Sequence, residues 1–120
     1  MRPRILLAAL ILSLLATPAL ANPLWTIRNC GISSMSGSSQ TLVAKNPAHH
    51  YLLICNFGAA GDNITLGLAG ETAVANQDLT LVPGSCKEYE DGSSYLAPPP
   101  ANLITVIGTS GQPVTCSEGN

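Results

Sequence analysis

The chain has 120 residues, of which 10% are charged, with a formal net charge of −2 and four cysteines. One ordinary domain fits in that length. So few lysines and arginines exclude a phosphate-tracking groove, and no nucleic-acid partner is expected.

The chain begins as an exported precursor. Arg2 and Arg4 make a positive start, and residues 5–15 are apolar except for Ser13. Pro18 breaks the run, and Ala19-Leu20-Ala21 places small residues at the two positions a signal peptidase reads. Residues 1–21 are therefore expected to be a signal peptide cut after Ala21, leaving residues 22–120 as a single domain. The apolar stretch is shorter than the roughly 20 residues of a membrane span. Cys30 follows Arg28-Asn29, which is not a lipid-attachment sequence. The mature chain carries no later spanning segment and is expected to be periplasmic or secreted, away from the membrane.

Cys30, Cys55, Cys86 and Cys116 all fall in that mature part. An even number in an exported small domain reads as disulfides. No two are close in sequence, so a Cys-x-x-Cys redox motif and a zinc knuckle are excluded. Three pairings remain, and spacing does not choose among them. We favour Cys55 with Cys86 and Cys30 with Cys116, which ties a middle strand to a middle strand and the first strand to the last.

The elements read as strands throughout. Residues 25–30 make the first and residues 41–45 the second. Residues 51–54 are a continuous apolar run, expected of a strand covered on both sides or central in a sandwich. Residues 58–63, rich in Gly and Asn, are expected to close a hairpin onto the next strand. There Ile64, Leu66 and Leu68 alternate with Asn63, Thr65 and Gly67, which predicts one buried and one wet face. Residues 70–76 allow one helical turn at most. Leu79 and Leu81 alternate again around Thr80, and Pro83-Gly84 makes a tight turn. Residues 86–90 form a polar strand expected at a sheet edge, followed by a turn at Asp91-Gly92. Pro98-Pro99-Pro100 must be extended and cannot lie in a central strand. Residues 103–107 and 114–116 supply the last two strands, with Ser110-Gly111 between them. Seven or eight short strands at this spacing predict an all-β, disulfide-stabilised antiparallel sandwich or partly closed barrel.

Catalytic signals are weak. His49 and His50 are adjacent, so a strand would point them to opposite faces, away from a common metal; a solvated approach to a strand is the expectation. Neither Cys86 nor Cys116 has the histidine and methionine that would follow in a blue-copper site. Glu88, Glu90 and Asp91 cluster, and the two glutamates share a strand face. Glycoside chemistry needs carboxylates across a cleft, and calcium needs more oxygens, so a charged edge strand is expected. No serine lies in a Gly-x-Ser-x-Gly elbow. No catalytic residue, metal ligand or cofactor is assigned. Asn63-Ile64-Thr65 has the form of a glycosylation acceptor. Tyr89 and Tyr95 are candidates for a sugar-binding surface, and residues 33–39 and 91–94 are candidate working loops at one end.

One stretch has a family likeness. Asn46-Pro47, then Tyr51-Leu52-Leu53-Ile54-Cys55-Asn56, then a Gly-rich turn, resembles small β-sandwich domains of tailed-bacteriophage and prophage structural proteins. Those domains begin with an Asn-rich segment leading into Tyr-Leu-Leu-Ile-x-Asn. The likeness continues through Leu81-Val82-Pro83-Gly84 to Val114-Thr115 and Glu118-Gly119, so it spans residues 41–119. It implies a sandwich fold and a structural role of phage descent. The chain departs from the family by having His where an Arg often stands at 49 or 50, and by its signal peptide and cysteines. The expectation is thus an exported, non-enzymatic structural or binding module whose partner is a protein or glycan surface. The alternatives are a carbohydrate- or ligand-binding domain and a metal-dependent secreted enzyme.

Overall fold

A computed structural model describes residues 26–120. The expected leader at residues 1–21, its cleavage site at Ala21, and Trp25 at the start of the expected first strand lie outside the described residues. The rest folds into eight strands, with no helix among the described residues. They are β1 (Ile27–Asn29), β2 (Gln40–Val43), β3 (Tyr51–Cys55), β4 (Ile64–Gly67), β5 (Leu79–Leu81), β6 (Cys86–Glu90), β7 (Ile104–Ile107) and β8 (Thr115–Gly119).

The strands form two four-stranded antiparallel sheets, ordered β1-β8-β3-β6 and β2-β7-β4-β5. The all-β sandwich expected from the strand spacing is the fold observed. β6 lies at a sheet edge, where its charged side chains suit it. The hairpin expected at residues 58–63 does not form. β3 belongs to the first sheet and β4 to the second, so this loop is a corner between layers. Only β4 and β5 are both consecutive and hydrogen-bonded to one another. The turn at Pro83-Gly84 and the one at Ser110-Gly111 are corners of the same kind.

The core lies between the sheets. Leu52, Ile54, Tyr89 and Cys116 face inward from the first sheet, and Ile64, Leu66, Leu81, Ile104 and Val106 from the second. In β3 the buried and half-buried residues alternate, so Leu52 and Ile54 are fully enclosed while Tyr51 and Leu53 are half-buried on the outside. The continuous run at 51–54 therefore belongs to a central strand with one covered face, not two. In β2 the register slips between Thr41 and Val43. This bulge lets the consecutive Leu42 and Val43 both bury. Met35 plugs one end of the layer. Its backbone N–H donates to the Gln112 carbonyl, and its own carbonyl accepts from Gly111.

Beside that plug, two buried amides fasten three corners. Asn56 Nδ2 donates to the carbonyls of Asp62 and Leu81, at 2.8 and 2.9 Å. Its Oδ1 accepts from Gly58 N–H and from Gln112 Nε2, both at 2.9 Å. Gln112 Nε2 also donates to the Asp62 carbonyl, and its Oε1 accepts from Thr109 N–H. Every polar atom of these buried amides has a partner, so burial carries no desolvation penalty here.

The outer face of the second sheet departs from the expected wet surface. Thr65 and Gly67 are buried, because residues 69–78 fold back across β4 and β7 as a strap. Thr105 Oγ1 donates to the Glu71 carbonyl at 2.7 Å and accepts from Ala73 N–H at 3.0 Å. Thr65 Oγ1 accepts from Asn76 N–H at 3.1 Å and lies 3.2 Å from Thr80 Oγ1. A Cβ on Gly67 would stand 2.5 Å from Thr105 Oγ1 and 3.0 Å from the Glu71 carbonyl, so glycine is what lets the strap lie this close.

Candidate functional site

Both disulfides belong to the first sheet. Cys55 and Cys86 face each other across the β3–β6 ladder and are bonded. Cys30, just after β1, is bonded to Cys116 of β8 on the inner face. Each bridge thus ties an edge strand of this sheet to its inner neighbour. No cysteine is free.

The two histidines do point apart, but His49 is not solvated. Its side chain is buried at the end of the sandwich where β8 finishes, with Nε2 2.7 Å from Glu118 Oε2. The contact is close without being an aligned hydrogen bond, and His49 Nδ1 has no hydrogen-bond partner. Arg28, directly across the β1–β8 ladder, donates from Nε to Glu118 Oε1. Glu118 occupies an inward position of β8, so its carboxylate lies between buried His49 and Arg28, whose own side chain stays mostly exposed. His50 turns to the outside, with Nδ1 3.3 Å from Asp91 Oδ2. No hydroxyl bonds to either nitrogen of His49. Among the described residues, no group of three or more His, Cys, Asp or Glu side chains is placed to hold a metal.

The tyrosines expected on one sugar-binding surface are separated. Tyr89 points into the core, under the Lys87 ammonium at 5.1 Å from the ring centroid, and burial raises its pKa. Tyr95 is 96% exposed in the corner after β6. Alternation along β6 sends Tyr89 inward and its neighbours Glu88 and Glu90 outward. The two candidate loops also part company. Residues 33–39 pack beside Gln112, whereas residues 91–94 lie at the opposite end, next to His50. In the Asn63-Ile64-Thr65 motif, Asn63 is exposed but the Thr65 hydroxyl is buried and bonded to the strap.

The side chains that do share a surface sit on the outer face of the first sheet. Ile27 of β1, Ser117 of β8, Tyr51 and Leu53 of β3, and Glu88 and Glu90 of β6 line a shallow hollow of about 460 Å³. Among the described residues, no segment crosses them as the strap crosses the other sheet. Ile27 is 55% exposed. The Tyr51 hydroxyl donates to Glu88 Oε1 at 3.1 Å. Burial, and then Glu88 through its hydrogen bond and charge, raise the Tyr51 pKa, with Glu90 adding to the effect. The carboxylates are therefore coupled to the apolar strip beside them. They do not face each other across a cleft, as glycoside cleavage requires. The glutamates were legible in the sequence as an edge-strand pair; the apolar strip they border was not, because it draws on β1 and β3, which are brought to one face only through β8.

A hollow of about 290 Å³ opens at the plugged end between Gly37, Asn63, Asn76 and Thr109. It is lined by glycine backbone and neutral side chains and brings together no titratable group.

No family model matches the chain. No curated protein matches it. Among solved structures, it is similar to a chain from the work described as "Bacillus endospore appendages form a novel family of disulfide-linked pili", at 16% identity over 82% of this chain and 89% of that chain, with a TM-score of 0.41.

Proposed function

We propose that this chain is an exported, non-enzymatic β-sandwich that works by contact, as a structural or binding module. The observation that carries the reading is the contrast between the two outer faces. One is covered by a strap, while the other keeps Ile27, Tyr51 and Leu53 partly in water, beside two carboxylates. A half-exposed apolar strip with a polar rim is the usual composition of a contact surface. Export is supported by the leader pattern around Arg2, Arg4 and Ala21 and by two disulfides, which persist in oxidising compartments. The first residue of the secreted form is expected to be Asn22.

A photo-crosslinking side chain placed at Leu53 of the exported protein tests the reading. It is expected to trap a macromolecular partner, whereas the same group at Thr72, on the strap, is not. Turnover of any substrate in a broad hydrolase panel, or equal adducts from both positions, would overturn it. Phage descent is the finer form of this proposal. It is supported by the strand–turn motifs from Asn46-Pro47 to Glu118-Gly119, and head or tail genes beside this one would strengthen it.

A further inference from the structure

We infer that the outer face of the first sheet, which no described segment covers, receives an extended protein segment that carries two basic residues and apolar side chains on one side, and that this partner is not a second copy of the chain. The inference rests on the contact reading above and adds the chemistry of the partner.

Ile27, Leu53 and Tyr51 supply an apolar strip that any apolar partner could cover. Glu88 and Glu90 narrow the choice. They stand at alternate positions of β6 on the same face, at the margin of the strip. A partner seated on the strip takes these carboxylates partly out of water, which is unfavourable unless cations meet them. Alternate residues of a strand are separated by roughly 6.5–7 Å. An extended segment laid obliquely over this face repeats its same-side residues at that same interval, so two basic residues two apart meet the two glutamates and apolar residues further along the same side reach the strip. β6 is an edge strand, but its edge is partly taken, since Glu90 N–H donates to the Ala97 carbonyl, so the segment approaches over the outer face.

The expected mature chain does not supply that segment itself, because Arg2 and Arg4, which stand two apart, belong to the leader expected to be cut after Ala21. Its basic side chains among the described residues are Arg28, Lys45 and Lys87, and no two are alternate neighbours. Arg28 is engaged by Glu118, and Lys87 lies over the Tyr89 ring on the inner side of β6. Lys45 is in the loop after β2. Two copies meeting through this face would instead set Glu88 and Glu90 against their own counterparts, a like-charge juxtaposition that opposes association.

Isotope-labelled protein is titrated by NMR with a short lysine–valine peptide, Lys-Ser-Lys-Ser-Val-Ser-Val, which puts both residue types on one side of an extended chain. Glutamate–valine and lysine–serine peptides are the controls, and sedimentation reports self-association. The lysine–valine peptide is expected to move the amides of Tyr51, Leu53, Glu88 and Glu90. Each control peptide is expected to bind at least about tenfold more weakly, as is the lysine–valine peptide to the Glu88→Gln/Glu90→Gln variant or at high salt. The spectrum of the variant itself reports that it is folded. Equal binding of the glutamate–valine peptide, or unchanged binding by the variant, overturns the inference and leaves the contact reading intact. The same holds if no peptide touches this face, or if the protein self-associates through it. Catalytic turnover would instead defeat the reading on which the inference rests.

Discussion

The two sheets of this sandwich meet the same difficulty by different means. Each has two edge strands and an outer face that must be kept from uncontrolled pairing. The second sheet has no disulfide and lies under residues 69–78, held down by Thr65 and Thr105. Among the described residues the first sheet has no such cover, but both its edges are stapled: β1 through Cys30–Cys116 and β6 through Cys55–Cys86. Neither staple lays a segment across the sheet: Cys30–Cys116 lies on the inner face, and Cys55–Cys86 sits on the outer face next along from Leu53 and Glu88. That difference leaves the outer face of the first sheet without a covering segment among the described residues, which is the condition the proposed contact requires.

The largest expected effect comes from removing the staples. In the chain-entropy account, the bridges with sequence separations of 86 and 31 residues restrict the unfolded chain by about 4.5 and about 3.7 kcal/mol respectively. Replacing either pair by alanine is expected to cost about 2–5 kcal/mol in urea unfolding, with the Cys30/Cys116 variant the less stable. Hydrogen exchange should show early opening at β1 in that variant and at β6 in the other. Early opening of β4 or β7 in either would mean that the staples do not act sheet by sheet.

Leu52 and Leu53 carry the comparison into neighbouring residues. Leu52 is fully buried, and Leu53 is half-buried on the open face. Leu52→Ala is expected to lower stability by about 2–5 kcal/mol, the range for a core cavity. Leu53→Ala should cost less than about 1 kcal/mol and weaken partner binding instead. If the two variants unfold at the same denaturant concentration, the face is a core surface and not a contact surface.

The strap gives a smaller effect, of about 1–3 kcal/mol, from Gly67→Ala, because the added Cβ collides with Thr105 and the Glu71 carbonyl. Thr105→Val removes two hydrogen bonds at the same place and leaves the Glu71 carbonyl without this partner. Both variants should speed amide exchange at residues 71–76 and leave β3 and β8 protected. Loss of protection in β3 would show that strap and stapled sheet are not independent.

How much of this could be read from the residues follows from what is local. Ile64, Leu66 and Leu79 to Leu81 announced strands because period-two alternation is written within each segment. The strap could not be read that way: residues 69–78 have no periodicity, and their coverage of Thr65 depends on Thr105, forty positions later. Turn residues behaved likewise. Gly and Asn at 58–63 mark a change of direction, but whether the chain returns to the same sheet is decided by which distant strands β3 pairs with, here β6 and β8. Burial of His49 followed from Glu118, 69 positions on and facing inward on β8. The candidate face was half legible for the same reason, its glutamates local and its apolar strip assembled from distant strands.

The smallest effect tests whether that face is electrostatically one unit. Tyr51 and Tyr89 both have raised pKa values, but Tyr89 owes this to burial, while Tyr51 combines burial with Glu88 and Glu90. A phenol whose pKa is raised by folding keeps its proton when the unfolded chain has begun to lose it. Stability is therefore lost as pH climbs from the ordinary tyrosine value of 10.0 through the folded value. Glu88→Gln removes the charge beside Tyr51 and keeps an oxygen able to accept its hydroxyl. In a residue-resolved NMR titration the Tyr51 pKa should fall toward its ordinary value, while that of Tyr89 stays in place. The Tyr51 share of the alkaline loss of stability should shrink with it. An unmoved Tyr51 would mean that burial alone sets its pKa. The carboxylates would then be bystanders at the rim, and a basic partner would gain nothing from meeting them.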